Sequence, residues 1–589
     1  MHDHPMAEKV KNKKFAVKEF LQSVKPFRFK IIVSVILCIG SAVLGIFIPK
    51  LFGEIINTAI YSMPEINWAK ITEIALIVIA LFVSSAILNY IQAYLLAVVT
   101  AKYTKALREK IINKISKLPI SYFDNHKIGD TLSRMTNDID IIATSLSQEV
   151  ADVSLSVTTL IGVTVLMLTI SVPLSIITFV VVPISVFVVA KIAKFAQKYF
   201  REQQATLGVL NSKIEESYSG QIIIKSNSHE TASIDDFSRT NEKLTRAARR
   251  AQIFSSLSFP VTHIFTNLGY VAVCIVGGIL IIEQKLSIGG IQAFLNYVNR
   301  FNRPITEIAS TTSTIQALLA ASERIFEFLN EPEEESDQLN PQEIVNIKGA
   351  VEFNNICFSY DKKTPVIKNF SVKVKPGQKV AIVGPTGAGK TTIINLLMRF
   401  YEPDSGYITI DGVPIKEMRR SDVRKLFGMV LQDTWLFSGS ITDNLRYGNE
   451  KATLDDVKKA AKVSNVDHVI EALPKNYATK ISEDSENISA GEKQLLTIAR
   501  AMVANPPMMI LDEATSNVDT RTEELIQEAF EKITEGRTSF VIAHRLSTIR
   551  NSDLILVMKD GNVVEQGNHN ELLKKNGFYA ELYNSQFQD

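Results

Sequence analysis

The sequence predicts a membrane-embedded all-α domain of six helices followed by an α/β domain with a largely parallel sheet. Three observations lead there: long charge-free apolar stretches in the first half, lysines and arginines gathered in alternate intervening loops, and, from Val351, short β-rich runs alternating with helical ones. The chain has 589 residues, too many for one compact core. Its averages, 46% hydrophobic, 21% charged and net charge +2, are ordinary and conceal this segregation.

No charged residue occurs between Lys30 and Lys50, Glu73 and Lys102, Asp152 and Lys191, or Arg250 and Glu283. A bilayer crossing takes about 20 apolar helical residues, so these four stretches supply five crossings. The third is double: residues 153 to 190 are uncharged and are broken midway by Ser171-Val172-Pro173, which suits two helices joined by a very tight turn. A sixth crossing is expected from residue 286 onward. It admits Asn296, Asn299, Arg300, Asn302, Arg303 and Glu307, a face that lipid would not tolerate, so the helix is expected to line an aqueous cavity and to continue out of the membrane.

Orientation follows from the basic residues. The N-terminal arm (1–28), the segment from Lys102 to Arg134 and the segment from Lys191 to Arg250 are rich in lysine and arginine, and the opposite loops hold little beyond Lys50, Lys70 and Lys285. Both termini and the two long loops are therefore expected to be cytoplasmic. Folded as helical hairpins, the loops would project on the order of 35 Å at about 1.5 Å per residue. The six-helix domain is expected over 29–329. An acidic, proline-bearing stretch, Asn330-Glu331-Pro332-Glu333-Glu334-Glu335-Ser336-Asp337, marks a linker over 330–346. The α/β domain then fills 347–589.

The near-zero net charge excludes a nucleic-acid binder working by bulk electrostatics. Cys38, Cys274 and Cys357 are far apart and show neither a disulfide framework nor zinc spacing. No cleavable signal pattern opens the chain, because its first apolar run follows roughly 30 mostly polar residues.

In the second domain, Gly384-Pro385-Thr386-Gly387-Ala388-Gly389-Lys390-Thr391 follows the apolar strand Val380–Val383 and opens a helical run from Ile393. This is a phosphate loop in its required strand-to-helix context. The backbone of Gly384, Thr386, Gly387, Ala388 and Gly389, with Lys390, Thr391 and Thr392 at the helix start, is the candidate phosphate cradle. There Lys390 neutralises β/γ charge and the Thr391 hydroxyl can ligate Mg²⁺. Downstream, Met508-Met509-Ile510-Leu511-Asp512 reads as a buried strand ending in an acid suited to the Mg²⁺ shell, and Glu513 beside it can polarise an attacking water. Together these read as a nucleotide hydrolase of the P-loop type.

The combination resembles the ATP-binding-cassette (ABC) transporter family over nearly the whole chain. The resemblance implies further roles. Tyr360 sits where the family stacks an aromatic on adenine. Gln432 in Val430-Leu431-Gln432-Asp433 matches the loop that senses Mg²⁺ and contacts the membrane domain. Ser516-Asn517-Val518-Asp519 matches the loop that crosses to the partner cassette, and His544 matches the histidine that contacts the γ-phosphate. Pro119 to Asp130 and Ser217 to Lys225 look like the cytoplasmic hairpin tips that dock on the cassettes in the exporter branch. The run Arg300 to Phe328 resembles that branch's sixth helix.

One membrane domain and one cassette make a half-transporter, which the resemblance implies must dimerise. Each ATP site is then completed by the signature of the opposite cassette, here Ile488-Ser489-Ala490-Gly491-Glu492, with Ser489 and Gly491 as the contacting positions. The family's form is Leu-Ser-Gly-Gly-Gln. The methyl group of Ala490 and the carboxylate of Glu492 depart from it at positions facing the partner's phosphates, while Glu513, His544 and the phosphate loop are intact. That asymmetry resembles heterodimeric bacterial exporters and implies a second, different half-transporter subunit in a cell membrane.

The expected activity is ATP-driven export of hydrophobic or amphipathic, drug-like compounds by alternating access. A lipid or lipid-linked substrate flippase, a siderophore-type importer and an ATP-gated channel or regulator stand as alternatives. Phe259, Phe265, Tyr270, Phe294 and Tyr297, with His263, Asn267 and Asn296, are candidate substrate-pocket residues.

Overall fold

The computed structural model describes residues 10–126, 128–338, 340–344, 346–481, 488–512, 519–543 and 545–587. They form two compact units, one of residues up to Lys117 together with Lys127–Pro332, the other of Leu118–His126 together with Glu333 onward.

The first unit is helical. A short amphipathic helix α1 (Lys13–Val24) leads into α2 (Arg28–Tyr61) and α3 (Trp68–Ile115). After α4 (Ile120–Asn125), which belongs to the other unit, come α5 (Ile128–Ser133), α6 (Ile139–Thr144) and α7 (Val150–Ile170). The unit closes with α8 (Val172–Ser219), α9 (Gln221–Ser226), α10 (Glu230–Ile282) and α11 (Ile288–Leu329). Single wide turns at Arg134–Asp138 and Ser145–Glu149 fuse α5, α6 and α7 into one path.

Among the described residues, five helical runs are long and apolar enough to cross a membrane: Lys13–Tyr61, Trp68–Ile115, Thr131–Ile170, Val172–Ser219 and Glu230–Ile282. The doubled third stretch resolves as expected. Only Ser171 separates α7 from α8, with extended backbone at φ −161° and ψ 116°. Pro173 follows in the first turn of α8, where its missing N–H leaves no helical bond unmade. The long helix predicted beyond residue 286 is α11, 42 residues with Pro304 inside; its asparagines, arginines and Glu307 keep it out of the apolar set.

Apolar packing of Ile46, Val163, Met167, Leu174, Val182, Val273, Phe294 and Phe301 builds the core of this bundle. Polar contacts supplement it: Ser34 donates to Gln92 O at 3.0 Å, and the Ser41 and Ser85 hydroxyls pair at 2.9 Å. Hydroxyl-to-helix bonds of this kind hold helices together where lipid offers no hydrophobic drive. At the far end of α11, Glu323 accepts from the N–H groups of Lys11 and Asn12, at 2.9 and 2.5 Å, fixing the start of the arm. Next to it, Arg324 makes a bidentate pair with the buried Asp138.

The second unit is the α/β domain. A four-stranded antiparallel sheet runs Ile367–Val374, Val351–Phe358, Ser405–Ile410, Val413–Pro414. A six-stranded sheet runs Asn562–Gly567, Leu554–Lys559, Lys379–Val383, Thr538–Ile542, Met508–Asp512, Phe427–Val430. All its pairings are parallel except that of the first two strands. Its central strands are buried along almost their whole length, as expected of strands covered on both faces.

The acidic stretch read as a linker is clasped by this unit. Arg420 Nη1 donates to Glu335 O and lies 3.3 Å from Asp337 Oδ1; its Nε lies 3.3 Å from Glu334. Arg424 reaches Glu334 at 2.6 Å. Arg399, 4% exposed, bonds Glu402 at 2.7 Å, and Glu402 also accepts from Arg420 at 3.0 Å.

Candidate nucleotide site

The site is built on the C-terminal edge of the six-stranded sheet, where open α/β sheets bind ligands. Ile382, Ile542 and Asp512 lie level across three adjacent strands. The phosphate loop therefore leaves the sheet two strands away from Asp512, with Thr538–Ile542 between them. Glu513 follows Asp512 by one residue and His544 follows Ile542 by two; both lie outside the described residues, as do Ser516, Asn517 and Val518.

The loop's geometry depends on glycine. At Gly384 a Cβ would stand 2.3 Å from Met558 O, so the strand can turn away only without a side chain. At Gly389 the backbone is left-handed, φ +97°, immediately before α12 (Lys390–Leu397). Pro385, Thr386 and Gly387 are exposed, Ala388 is buried, and Thr391 is exposed at the helix start with Thr392 packed inward. Lys390 Nζ donates to Gly384 O at 2.7 Å and Pro385 O at 3.1 Å, folding the cation back over the loop. Burial lowers its pKa, an effect that the Asp512 carboxylate opposes.

Tyr360 packs edge-on against Phe358 and Tyr401, ring centroids 4.8 and 5.0 Å apart, while its hydroxyl pairs with Thr392 Oγ1 at 3.1 Å. Half of Tyr360 remains exposed beside the loop, a surface suited to stacking on a base. Gln432 is exposed just beyond the strand Phe427–Val430. Thr391, Gln432 and Asp512 offer a hydroxyl, an amide oxygen and a carboxylate, the all-oxygen donor chemistry that Mg²⁺ requires.

The signature segment begins the helix Ala490–Ala504, and Ser489 is its N-cap. The Ser489 hydroxyl accepts from Glu492 N–H at 3.3 Å, and the Glu492 carboxylate accepts from Ser489 N–H at 2.7 Å, a reciprocal capping box. Gly491 is buried in the first turn. Asp519 likewise caps the helix Thr520–Thr534 by accepting from Thr522 N–H at 2.9 Å, which holds its carboxyl below the usual carboxylate range.

Two supporting residues carried no signal in the sequence. Arg500 donates to Trp435 O at 3.0 Å, Asn444 O at 2.9 Å and Asn444 Oδ1 at 2.9 Å, tying the signature helix to the segment after Gln432. Arg545 pairs with Glu523 at 3.2 Å, bracing the chain beside His544 against the helix that Asp519 caps.

The aromatic set proposed for a substrate pocket is not brought together. Phe294 and Tyr297 are fully buried in the bundle core, whereas Phe259 and Tyr270 are exposed on α10. Phe265 is half-buried, and His263, Asn267 and Asn296 are exposed. His263 packs against Phe259 with centroids 4.4 Å apart, and Asn296 donates to Gln292 O within its own helix.

Two families match the chain: one described as ABC transporter transmembrane region over residues 31–305, the other as ABC transporter over residues 367–516. The chain is similar to a protein named fatty acid ABC transporter ATP-binding/permease protein from Mycobacterium bovis, 44% identical over 88% of this chain and 82% of the relative. A putative multidrug export ATP-binding/permease protein of Bacillus subtilis is 33% identical over 97% of this chain and 99% of its own. An ATP-dependent lipid A-core flippase of Syntrophus aciditrophicus is 34% identical, with 88% and 86% covered.

Proposed function

From the chain's membership of the ABC transporter family, as an exporter-type half-transporter that couples ATP hydrolysis to transport, we propose that it exports hydrophobic or amphipathic compounds by alternating access. The observation that carries this reading is one edge of one sheet: the glycine-shaped phosphate loop, Lys390 and Asp512 stand there together, with Glu513 next in sequence. ATP is held by the loop backbone and Lys390, its base against Tyr360. Mg²⁺, held by Thr391, Gln432 and Asp512, supplies charge neutralisation at the β- and γ-phosphates. Glu513 orients and deprotonates the attacking water, and His544 contacts the γ-phosphate. Closure of two cassettes on ATP turns the cavity outward, and hydrolysis resets it. Both termini are cytoplasmic, in the plasma membrane of a bacterium.

The partner is a different half-transporter. Ala490 and Glu492 at the signature support this, since a methyl group and a carboxylate stand where a partner's triphosphate would approach, and like charges repel at that range. This chain thus supplies the competent hydrolytic face, while its partner brings an intact signature. A second substrate reading, lipid translocation, is favoured by the relatives named for a fatty acid and for lipid A-core.

The test is reconstitution of the complex, purified without crosslinking and with its subunits identified. Glu513→Gln is expected to cut ATP turnover on the order of a hundredfold or more while leaving ATP binding intact, the loss of a general base. Lys390→Ala is expected to weaken binding itself. Retention of most of the ATPase rate by Glu513→Gln would remove Glu513 from its role, and full-rate hydrolysis with transport by this chain alone would defeat the heterodimer.

A further inference from the structure

α2 carries a proline in its interior. Pro49 has no N–H for Gly45 O, and its ring crowds that same carbonyl. Backbone acceptors freed at membrane depth must find another donor. Here the donors come from α11. Arg300 Nη1 reaches Gly45 O at 2.8 Å, and Tyr297 Oη donates to Ile46 O at 2.8 Å, with the Lys50 amide facing the same hydroxyl. Tyr297 is fully buried, so its bond has no competition from water.

The contact continues toward the short connections. Gly53 and Gly289 meet backbone to backbone; a Cβ on Gly289 would stand 1.8 Å from Gly53 O. One turn further, Asn57 Oδ1 accepts from Gly289 N–H at 2.8 Å while its Nδ2 donates to Ser287 Oγ at 3.0 Å. Read along α2, positions 45, 46, 53 and 57 meet 300, 297, 289 and 287 of α11, one antiparallel seam held by hydrogen bonds and bare backbone.

The adjoining face of α11 is held differently. Phe294 and Phe301 pack into the apolar cluster with Val163, Met167, Leu174 and Val182, which Ile46 and Tyr297 join from the seam, and Phe301 meets Phe179 with centroids 5.4 Å apart. Breaking that packing would expose large apolar side chains. Breaking the seam uncovers Ile46 and the Tyr297 ring as well, but otherwise parts polar groups and glycines, which exchange protein partners for cavity water at little net cost. The two sides therefore differ in how readily they part, and the α2 side is the weaker.

We propose that this seam is the latch of the gate at the short-loop end of the bundle, with Tyr297 and Arg300 as positioning residues that hold α11 on the Gly45 and Ile46 carbonyls of α2 until the cassettes close. The proposal rests on the alternating-access reading above. Pro49 is an integral part of it: the proline frees Gly45 O, and Arg300 of α11 fills it.

The experiment uses the full chain with its partner subunit in nanodiscs. Cys38, Cys274 and Cys357 are replaced, and spin labels are placed at Tyr61→Cys and Lys285→Cys, at the exposed end of α2 and in the exposed turn between α10 and α11 beside the seam. Distances are measured without nucleotide and with ATP and vanadate. The parent is expected to be short without nucleotide and to gain a longer population with it. Tyr297→Phe and Arg300→Gln should raise the long population without nucleotide about five- to tenfold, the ratio that one net hydrogen bond corresponds to. Arg300→Lys keeps a donor at nearly the same reach, where the glutamine amide stops short of Gly45 O, and should return the parent's distribution. Pro49→Ala restores the helix's own donor to Gly45 O, so it should act like Arg300→Gln, and the double variant should be no more open than either single. Superimposable nucleotide-free distributions for the parent, Tyr297→Phe and Arg300→Gln would overturn the latch, as would multiplicative effects of Pro49→Ala and Arg300→Gln. A parent that hydrolyses ATP with no change in this distance would overturn the alternating-access reading, and the latch with it, by a separate signature.

Discussion

Gly387 and Gly389 both hold positive φ, +81° and +97°, but their surroundings differ. A Cβ on Gly387 would meet nothing within 4 Å, whereas on Gly389 it would stand 2.6 Å from Ile367 Cδ1. Alanine at either position bears the backbone strain, of order 1–3 kcal/mol; at Gly389 it must also displace a fully buried isoleucine. Gly389→Ala is therefore expected to weaken ATP binding by at least about tenfold, and more than Gly387→Ala does, in a nucleotide-fluorescence titration. Equal losses would place the effect in the backbone alone. At this scale much of the site was legible, because the phosphate loop's spacing is itself the chemistry. Glu492 shows where legibility stopped. The pattern Ser489-x-x-Glu492 is a helix N-terminus signature, yet read against the family's form it announces only a misplaced charge. The same carboxylate serves the cap of its own helix, and sequence alone does not rank one use above the other.

The linker is the element whose character changed most. Glu333, Glu334, Glu335 and Asp337 around Pro332 read only as a linker, because partners such as Arg424 lie up to 90 positions away with no periodicity to announce them. Arg399 and Arg420 are almost fully buried against three partly exposed carboxylates, Glu334, Asp337 and Glu402, each of which also meets a second arginine, so removing Arg420 thins the network without leaving an acid unpaired. The loss therefore stays below the roughly 3–5 kcal/mol that an unpaired buried charge costs. Arg420→Met is thus expected to lower the cassette's melting transition clearly. Arg424→Met, at a side chain one-third exposed, should lower it less. Differential scanning fluorimetry on the full chain reads both, and a silent Arg420→Met would show that the clasp is merely tolerated. The membrane helices were far easier to read. Their charge-free lengths are set by the bilayer, and the single-residue turn at Ser171 follows from two full crossings fitted into 38 uncharged residues.

Across the whole molecule, the question is how a change at the nucleotide reaches the membrane helices. α4 lies in the chain between α3 and α5 but packs with the cassette, with Tyr122 buried and the Tyr401 hydroxyl donating to the Asp124 carboxylate. Tyr401 also meets Tyr360, the residue assigned to the base of ATP, edge-on at 5.0 Å. Burial first, and the neighbouring Asp124 carboxylate second, push the Tyr401 hydroxyl's pKa up, so it remains a donor throughout the physiological range. A continuous path of contacts therefore runs from the nucleotide-side ring to a helix that the membrane domain's own chain carries. One end of it was legible, since Asp124 lies in the stretch Pro119 to Asp130 read as a docking tip; its partner was not, because Tyr401 is 277 positions away and belongs to no motif. Tyr401→Phe keeps the ring packing and removes only the bond. The expected outcome in proteoliposomes is near-normal ATP hydrolysis with several-fold less substrate moved per ATP, because loss of one charge-assisted hydrogen bond weakens the joint by about 1.5–3 kcal/mol without touching the phosphates. Unchanged stoichiometry would mean that α4 is carried by its buried Tyr122 alone. A parallel fall in hydrolysis would mean that the tyrosine acts through Tyr360 on the nucleotide instead of on the helix.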